Sequence, residues 1–326
     1  MHNTVFGREN PARTEDPAGA VEAYLYETFR DCTGKLREIC LHTLNAGGKR
    51  VRPSLTVHCG RIFDDPGEPL LQAAVAMELI HMASLIHDDI IDQAALRRNQ
   101  ATVFTRWGAH LAVLSGDYLF AKVFEILARP GLNPVLGLAV AAIQKMCRGE
   151  IEQAGDSFNP EVDRERYLER IYLKTGSLLE CCCLTGALIG GAGTSDSELL
   201  GEFGREVGVA YQIIDDLLDI TGDPARTGKP AWEDFGQGTL TLPVILLMER
   251  PAHRDWVRRR VEERETGKET QAELKERLIK AGCIEEARML ATERIGRARR
   301  AVARLPVSDH TLFLNSLADR MLTRGK

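Results

Sequence analysis

The chain has 326 residues, of which 44% are hydrophobic and 27% charged, a composition typical of a globular protein with a sizeable core. Its 42 basic and 47 acidic residues give a net charge of -5, which gives no reason to expect a nucleic-acid partner or an anionic membrane surface. We find no signal peptide and no apolar run long enough to span a membrane, so a cytoplasmic protein that is not an integral membrane protein is expected. The eight cysteines lack metal-ligand spacing and are expected to be reduced thiols.

Apolar residues recur at helical spacing along almost the whole chain, and alternating β-branched runs are hard to find. The sequence therefore predicts an all-α fold. Asp16 and Pro17 form an N-cap and first helical position, so residues 1–16 are expected to be a flexible tail. Helix breaks are predicted at 46–48, 64–69, 129–134, 158–163, 190–195 and 222–238. Because none of them resembles a linker, residues 17–326 are predicted to form one domain, a single large helical bundle.

Two stretches place clustered carboxylates among apolar residues: LIHDDIID at 85–92 and QIIDDLLD at 212–219. On a helix these acids share one face, where like charges cost about 0.2–0.5 kcal/mol per pair and apolar neighbours increase the cost. Two such helices facing each other across a bundle would provide oxygen ligands for hard divalent cations, with Mg²⁺ the natural choice. A solvated acidic face is the alternative, which the repetition of the pattern disfavours. The candidate metal ligands are Asp88, Asp89, Asp92, Asp215, Asp216 and Asp219.

Basic residues accompany both acidic stretches. GGKRVRP at 47–53 carries three of them, two more follow the first stretch, and two lysines lie beside glycines or one residue away. Each group alone is ordinarily a solvated face, but arginine and lysine side chains beside a magnesium site are typical of a receptor for diphosphates. These basic residues are Lys49, Arg50, Arg52, Arg97, Arg98, Lys174 and Lys229.

In chain order, the segments GGKRVRP, ELIHMASLIHDDIID followed by RR, GDYLFA, GEIEQ, KTG, YQIIDDLLDITGD, GKP and TLP resemble those of the trans-isoprenyl (polyprenyl) diphosphate synthases. The resemblance extends from about Asp16 to the C-terminus. It implies an all-α bundle of the isoprenoid (terpenoid) synthase type with a central cavity. It also implies that the protein joins an allylic diphosphate to isopentenyl diphosphate, with Mg²⁺ bound by the two aspartate-rich motifs.

The resemblance also implies roles for individual residues. Magnesium is assigned to Asp88, Asp89, Asp92, Asp215 and Asp216, with Asp219 in a supporting role. The allylic-diphosphate clamp is assigned to Arg97, Lys174 and Lys229, and stabilisation of the reacting cation to Thr175 and Gln212. The isopentenyl-diphosphate site is assigned to Lys49, Arg52, His81 and Arg98. A histidine on an apolar helix is ordinarily a core residue, and only the place of His81 seven residues before Asp88 favours the ligand role.

Two positions depart from the family pattern. Thr239, in GTLTLP, stands where many members have a lysine, and Asn99 replaces a common glycine after the arginine pair. The first departure puts one diphosphate contact in doubt. Bacterial synthases of hexaprenyl and heptaprenyl diphosphate often lack that lysine too, so the departure favours this subfamily more than it argues against catalysis.

The growing product is expected to pass Ala83 and Ser84, about one turn before Asp88. Neither is aromatic, so the tunnel should stay open. Phe120 and Phe124 are candidates for its floor, although aromatic residues at helical spacing more often belong to the core. The sequence of the first motif is similar to that of the catalytic large subunits of hexaprenyl and heptaprenyl synthases. It implies a hexaprenyl-to-octaprenyl product, made from farnesyl or geranylgeranyl diphosphate for a quinone side chain.

The family resemblance implies a homodimer with its interface between Gly108 and Leu127, or a heterodimer with a small noncatalytic subunit. Three alternatives remain: a farnesyl or geranylgeranyl diphosphate synthase, a class I terpene cyclase, and a noncatalytic partner subunit. A cyclase is disfavoured because the second motif repeats DDxxD and because a cyclase needs no isopentenyl site. A noncatalytic subunit would have no reason to keep two clusters of repelling acids.

Overall fold

The computed structural model describes residues 17–222 and 231–323, which are almost entirely helical. The first helices are α1 (Pro17–Thr28), α2 (Gly34–Asn45), α3 (Val51–Arg61), α4 (Glu68–Ile91), α5 (Val103–Leu127) and α6 (Asn133–Gly155). A hairpin of two short strands, β1 (Leu96–Arg97) and β2 (Gln100–Ala101), separates α4 from α5. Next come α7 (Arg164–Ile171), a π-helical turn (Tyr172–Gly176), α8 (Ser177–Ile189) and α9 (Thr194–Thr221). The last helices are α10 (Glu233–Gly236), α11 (Leu242–Met248), α12 (Pro251–Glu262), α13 (Lys268–Lys280), α14 (Cys283–Val302) and α15 (Asp309–Leu322).

The prediction of an all-α fold is confirmed, and each predicted helix break overlaps an observed one where the structure describes it, although further breaks were not predicted. Helix α1 begins at Pro17, as its N-terminal signal predicts. The predicted tail at 1–16 and part of the break at 222–238 lie outside the described residues. The β1–β2 hairpin and the π-helical turn were not predicted.

The chain divides into two compact units. The first comprises Met1–Leu138 and Cys182–Thr194, and the second Ala139–Cys181 and Ser195–Lys326. In the first unit α4 packs against α1, α3 and α5; in the second, α11 packs against α7, α12, α13 and α14. That residues 17–326 form one domain stays a prediction.

Helix α4 corrects one expectation from the sequence. It is long and apolar enough to cross a membrane, with a mean hydropathy of 1.5 over its most apolar window, but 72% of that window is buried inside the protein. A helix that is apolar on most faces is typical of the centre of a large core. The buried ion pair between Arg50 and Glu78 also fixes α4, because Arg50 Nη1 donates to Glu78 Oε1 at 2.8 Å.

Candidate active site

The first acidic motif lies at the C-terminal end of α4. Asp88 and Asp89 belong to its last turn, and Asp92 is the exposed C-cap residue. A helix C-terminus carries partial negative charge, so carboxylates there are destabilised until a cation approaches them. The location therefore increases the demand for a cation beyond the repulsion within the motif.

An arginine side chain already supplies positive charge to one of these carboxylates. Arg97, on β1, donates from Nε to Oδ1 of the buried Asp89 at 2.7 Å. The hairpin brings the chain back to the end of α4, where Ala94 N also donates to the Asp89 carbonyl. A predicted diphosphate clamp and a predicted metal ligand are thus direct partners in the same unit.

The turn of the hairpin carries the second arginine of the pair. Arg98 and Asn99 have φ angles of 52° and 61°, the left-handed conformation that two-residue hairpin turns require. Asparagine tolerates this conformation better than most residues, which explains why Asn99 can replace glycine. A Cβ at Gly48 would lie 2.8 Å from an Arg98 guanidinium nitrogen, so glycine lets the arginine lie over the GGKRVRP loop.

A pocket in this unit is lined by His42, Arg50, Glu78, His81, Asp89, Arg97, Arg98 and neighbouring apolar residues. Burial and then the charges of Arg52, Arg98, Arg97 and Arg50 lower the pKa of His81 well below its ordinary value. A neutral imidazole among arginines indicates an environment suited to an anion.

The arginines of the GGKRVRP loop have different surroundings. Arg50 is buried and neutralised by Glu22 and Glu78. Arg52 Nε is buried and has no hydrogen-bond partner among the described residues, which is costly unless a ligand completes it. Lys49 is exposed, and neither Lys49 nor Arg52 lines the pocket, whereas Arg50 does. The buried Nε of Arg52 still fits a contact with an anion, and Arg50 is held in place by its two glutamates.

The second acidic motif lies in the last two turns of α9. Asp215 is exposed, whereas Asp216 is buried and accepts from Gln212 Nε2 at 2.8 Å and from Tyr167 Oη at 2.7 Å. Burial, partly offset by these two donors, raises the pKa of Asp216 to about 6. Thr175 Oγ1 donates to Gln212 Oε1 at 2.8 Å. The structure thus brings together three residues that the sequence assigned to the site: Thr175, Gln212 and Asp216.

Asp219 and Asp234 extend this acidic group. Asp219 Oδ1 accepts from the backbone N–H of Glu233 at 3.0 Å, so it caps the short helix α10. Burial and the charges of Asp216 and Asp219 raise the pKa of Asp234, and the Lys174 ammonium opposes that rise. Sequence reasoning missed Asp234, for which the only signal was an acidic pair shortly before TLP.

Lys174 lies in the π-helical turn, where its Nζ is 2.7 Å from Glu150 Oε1 and donates to Gln153 Oε1 at 2.9 Å. Thr239 is buried, and its backbone N–H donates to the Asp234 carbonyl. Its short neutral side chain cannot supply the charge of a lysine. Lys229, the other predicted clamp, lies outside the described residues.

The predicted chain-length residues have mixed environments. Ala83 is fully buried, and Ser84 is half-buried with its hydroxyl donating to the His81 carbonyl at 3.0 Å. Phe120 is half-buried, and its ring lies 5.9 Å from that of His87. Phe124 is 41% exposed in the single chain, so a role as tunnel floor would require a partner to cover it.

The two acidic groups suit a hard divalent ion that arrives with its substrate. Among residues 17–222 and 231–323, no group of three His, Cys, Asp or Glu side chains is arranged to hold a metal by itself. Mg²⁺, however, commonly takes one or two carboxylates, several waters and the phosphates of a substrate. The buried Asp216, with its raised pKa, is a carboxylate whose charge is incompletely compensated. The donor sets therefore fit magnesium.

The comparisons with known proteins agree with the resemblance seen in the motifs. The Polyprenyl synthetase family model matches residues 33–278. Heptaprenyl diphosphate synthase component 2 of Geobacillus stearothermophilus is 43% identical over 230 residues, 71% of this chain and 72% of the relative. Octaprenyl diphosphate synthase of Escherichia coli (strain K12) is 29% identical over 319 residues, 97% and 98% of the two chains. A decaprenyl diphosphate synthase structure from Rhodobacter capsulatus matches with a TM-score of 0.88 and 32% identity, covering 94% and 96% of the chains.

Proposed function

The chain belongs to the polyprenyl synthetase family and is a trans-prenyltransferase, and we propose that it extends an allylic diphosphate with successive isopentenyl diphosphate units. The proposed product is an all-trans polyprenyl diphosphate in the hexaprenyl to octaprenyl range. The proposed primer is farnesyl or geranylgeranyl diphosphate, and the proposed use is a quinone side chain. The single observation that carries the proposal is the pocket in which the Asp89 carboxylate and several arginines surround a neutral His81.

Magnesium ions would be held by Asp88, Asp89, Asp92, Asp215 and Asp216, and when bound would neutralise charge on the diphosphate. Asp219 supports this group through its hydrogen bond to the backbone of Glu233. Arg97 and Lys174 are proposed to bind the allylic diphosphate and stabilise the charge that grows on it as its C–O bond breaks. Lys229 is proposed as a further clamp on the basis of its sequence position alone.

The side-chain amide of Gln212 is oriented to stabilise the allylic cation that forms when the C–O bond breaks. Its Nε2 donates to Asp216, and its Oε1 accepts from Thr175, so the hydrogen bonds fix which end of the amide faces which way. The partial negative charge of Oε1 can stabilise an allylic cation. The reaction requires that water, which would quench this cation, be excluded, and the departing diphosphate is proposed to take the final proton.

Arg52, Arg98 and His81 are proposed to bind isopentenyl diphosphate, with Lys49 at the exposed edge. Arg52 brings a buried donor without a partner among the described residues. A neutral His81 can donate a hydrogen bond without adding to the repulsion among the arginines. These contacts would hold the diphosphate of the nucleophile while its double bond attacks.

A product assay tests the function. The purified chain is incubated with farnesyl or geranylgeranyl diphosphate as primer, together with isopentenyl diphosphate and Mg²⁺ and with a chelator control, and the products are separated by chromatography. Linear prenyl diphosphates of six to eight isoprene units are expected by analogy with the pattern of the first motif. Cyclic hydrocarbons would favour the terpene cyclase. No product with either primer would contradict autonomous catalysis and favour a noncatalytic subunit or a missing partner.

The length of the product depends, in this proposal, on the small side chain of the buried Ala83. Ala83→Phe should shorten the product by at least one isoprene unit, because a unit advances the tail by about 5 Å, roughly one helical turn. Cys147→Ala, a change at an exposed position, is the control. An unchanged product from Ala83→Phe would show that the tunnel does not pass this position.

We also propose that the chain works as a dimer. Val113, Leu114 and Phe124, all on α5, expose apolar side chains, and exposed apolar patches often mark interaction surfaces. The word component in the name of the relative at 43% identity suggests a partner subunit as the alternative. Light scattering on the purified chain separates a homodimer from a monomer that awaits a partner. The cytoplasmic location stays a prediction.

A further inference from the structure

The GEIEQ segment, residues 149–153 at the C-terminal part of α6, has no role in the proposed function. Two of its side chains reach one atom: Lys174 Nζ lies 2.7 Å from Glu150 Oε1 and 2.9 Å from Gln153 Oε1. Residues three apart share one face of a helix. Glu152 instead accepts from Arg148 Nε at 2.6 Å. The contact with Lys174 is therefore specific to two of the three polar side chains.

The backbone of α6 also touches the turn that carries Lys174. A Cβ at Gly149 would lie 2.8 Å from Lys174 Cγ and 3.0 Å from Lys174 N, closer than a side chain allows. At the start of the turn, Lys145 Nζ donates to Tyr172 Oη, which donates to Glu180 Oε2, both at 2.6 Å. A π-helical turn interrupts the regular helical ladder and often marks a functional site. Helix α6 thus fixes both the backbone of the turn and the end of its lysine.

We propose that Glu150 and Gln153 are positioning residues that orient the Lys174 ammonium for the allylic diphosphate, a role that rests on the proposed function. An ammonium has three N–H donors. Among the residues that the structure describes, Glu150 and Gln153 take two of them, which leaves the third for a phosphate oxygen. Lysine is otherwise a flexible side chain that loses much rotamer freedom on binding, and an oriented one binds at a lower entropic cost.

A purely structural ion pair is the competing explanation, and a double-mutant cycle separates the two. Steady-state kinetics with farnesyl diphosphate, isopentenyl diphosphate and Mg²⁺ are measured for wild type, Glu150→Ala, Lys174→Ala and the double variant. Lys174→Ala should lower kcat/KM for farnesyl diphosphate by about 10²-fold. Glu150→Ala should lower it by about 10-fold through a higher KM, and by no more than about 2-fold in the Lys174→Ala background. The KM for isopentenyl diphosphate should not change.

The segment itself offers matched controls. Glu150→Gln combined with Gln153→Glu exchanges the carboxylate and the amide, both of which reach Lys174 Nζ. This exchange variant should keep kcat/KM for farnesyl diphosphate within about 3-fold of wild type. Glu152 lies between the two positioning residues in sequence but binds Arg148 instead of Lys174. Glu152→Ala should therefore leave the kinetics unchanged. Calorimetric titration of farnesyl diphosphate with Mg²⁺ and without isopentenyl diphosphate should show the same order of affinities in the absence of turnover.

Two results would overturn the inference alone. One is a large loss of kcat/KM in Lys174→Ala together with wild-type kinetics in Glu150→Ala. The other is a Glu150→Ala loss that persists in full when Lys174 is already alanine, because that loss could not act through the lysine. Wild-type kinetics in Lys174→Ala would overturn the assigned clamp in the proposed function, and the inference with it.

Discussion

The two acidic motifs share one spacing at the end of a long helix but have opposite electrostatic surroundings. In the first unit, Asp89 is paired with Arg97, and arginines contribute to the lowered pKa of His81. In the second unit, Asp216 accepts hydrogen bonds from the neutral Tyr167 and Gln212, and the charge of Arg170 offsets only part of the rise in its pKa. The pKa of a further buried acid, Asp234, is raised by burial and by the acids around it, a rise that Lys174 opposes. The same pattern of residues thus gives a cation-rich site suited to anions and an acid-rich site that needs a cation.

Alanine substitution in each motif should give the largest effect. Asp88→Ala and Asp215→Ala should each lower kcat by about 10³-fold, because metal-mediated charge stabilisation contributes several kcal/mol. The comparison predicts different stabilities in the metal-free state. Asp215→Ala should gain about 0.5 kcal/mol, since it removes the repelling i,i+4 neighbour of Asp219 and a charge that raises the pKa of Asp216. Asp88→Ala should gain less, because the arginines near the first motif offset the repulsion between Asp88 and Asp92.

Denaturant unfolding in chelator and steady-state kinetics measure the two properties. Wild-type turnover in Asp88→Ala would remove the first motif from the mechanism. Equal gains in stability for both variants would remove the electrostatic difference between the units.

Loss of the arginine partner tests the first unit more specifically. Arg97→Gln removes the arginine that donates to the buried Asp89 and should cost about 1–3 kcal/mol of unfolding free energy. Tyr167→Phe removes only a neutral donor from Asp216 and should cost about 1 kcal/mol. Thermal unfolding with and without Mg²⁺ should show a larger magnesium-induced rise in Tm for Arg97→Gln than for wild type, because the ion no longer competes with an arginine. The same rise in both proteins would contradict the pairing.

The smallest effect is expected from pH. The pKa of His81 is lowered in the folded protein, so below about 6.5 the unfolded chain binds a proton that the folded chain does not. The free energy of unfolding should therefore fall as pH decreases from 7 to 5, by up to about 1.4 kcal/mol per pH unit. His81→Gln should reduce this slope, and His110→Gln, at an exposed position on α5, should not. An unchanged slope in His81→Gln would show that burial and the arginines do not lower the pKa of this histidine.

The sequence predicted the helical class and six of the helix breaks, because apolar periodicity, Pro17 and the turn residues are local signals. It predicted the acidic motifs for the same reason. It did not predict the breaks between α1 and α2, between α4 and α5, or between the helices that follow α11. The β1–β2 hairpin was missed because two-residue strands are too short to show alternation, and the π-helical turn because one extra residue per turn leaves no trace in the periodicity. The pairing of Arg97 with Asp89 requires a chain reversal, and the burial of Asp234 is a tertiary property.

Helix α4 is a case in which the composition of a segment is misleading without the structure. Its composition satisfies the criteria for a membrane span, and only packing reveals it as the core of its unit. In the same way, GGKRVRP shows three cations at once, but the structure separates Arg50, which is neutralised by Glu22 and Glu78, from Arg52, which has a buried donor left for a ligand. Residue type predicts the chemistry of such a segment, and burial decides which residue performs it.

The central claim is that each acidic motif is needed for magnesium-dependent binding of the allylic diphosphate. Calorimetric titration of farnesyl diphosphate into the chain, in Mg²⁺ and in chelator, tests it most directly when repeated with Asp88→Ala and Asp215→Ala. The account predicts tight binding in Mg²⁺ alone and a loss of about 10²-fold or more in affinity in either variant. Equal affinity in chelator, or wild-type affinity after either substitution, would contradict it.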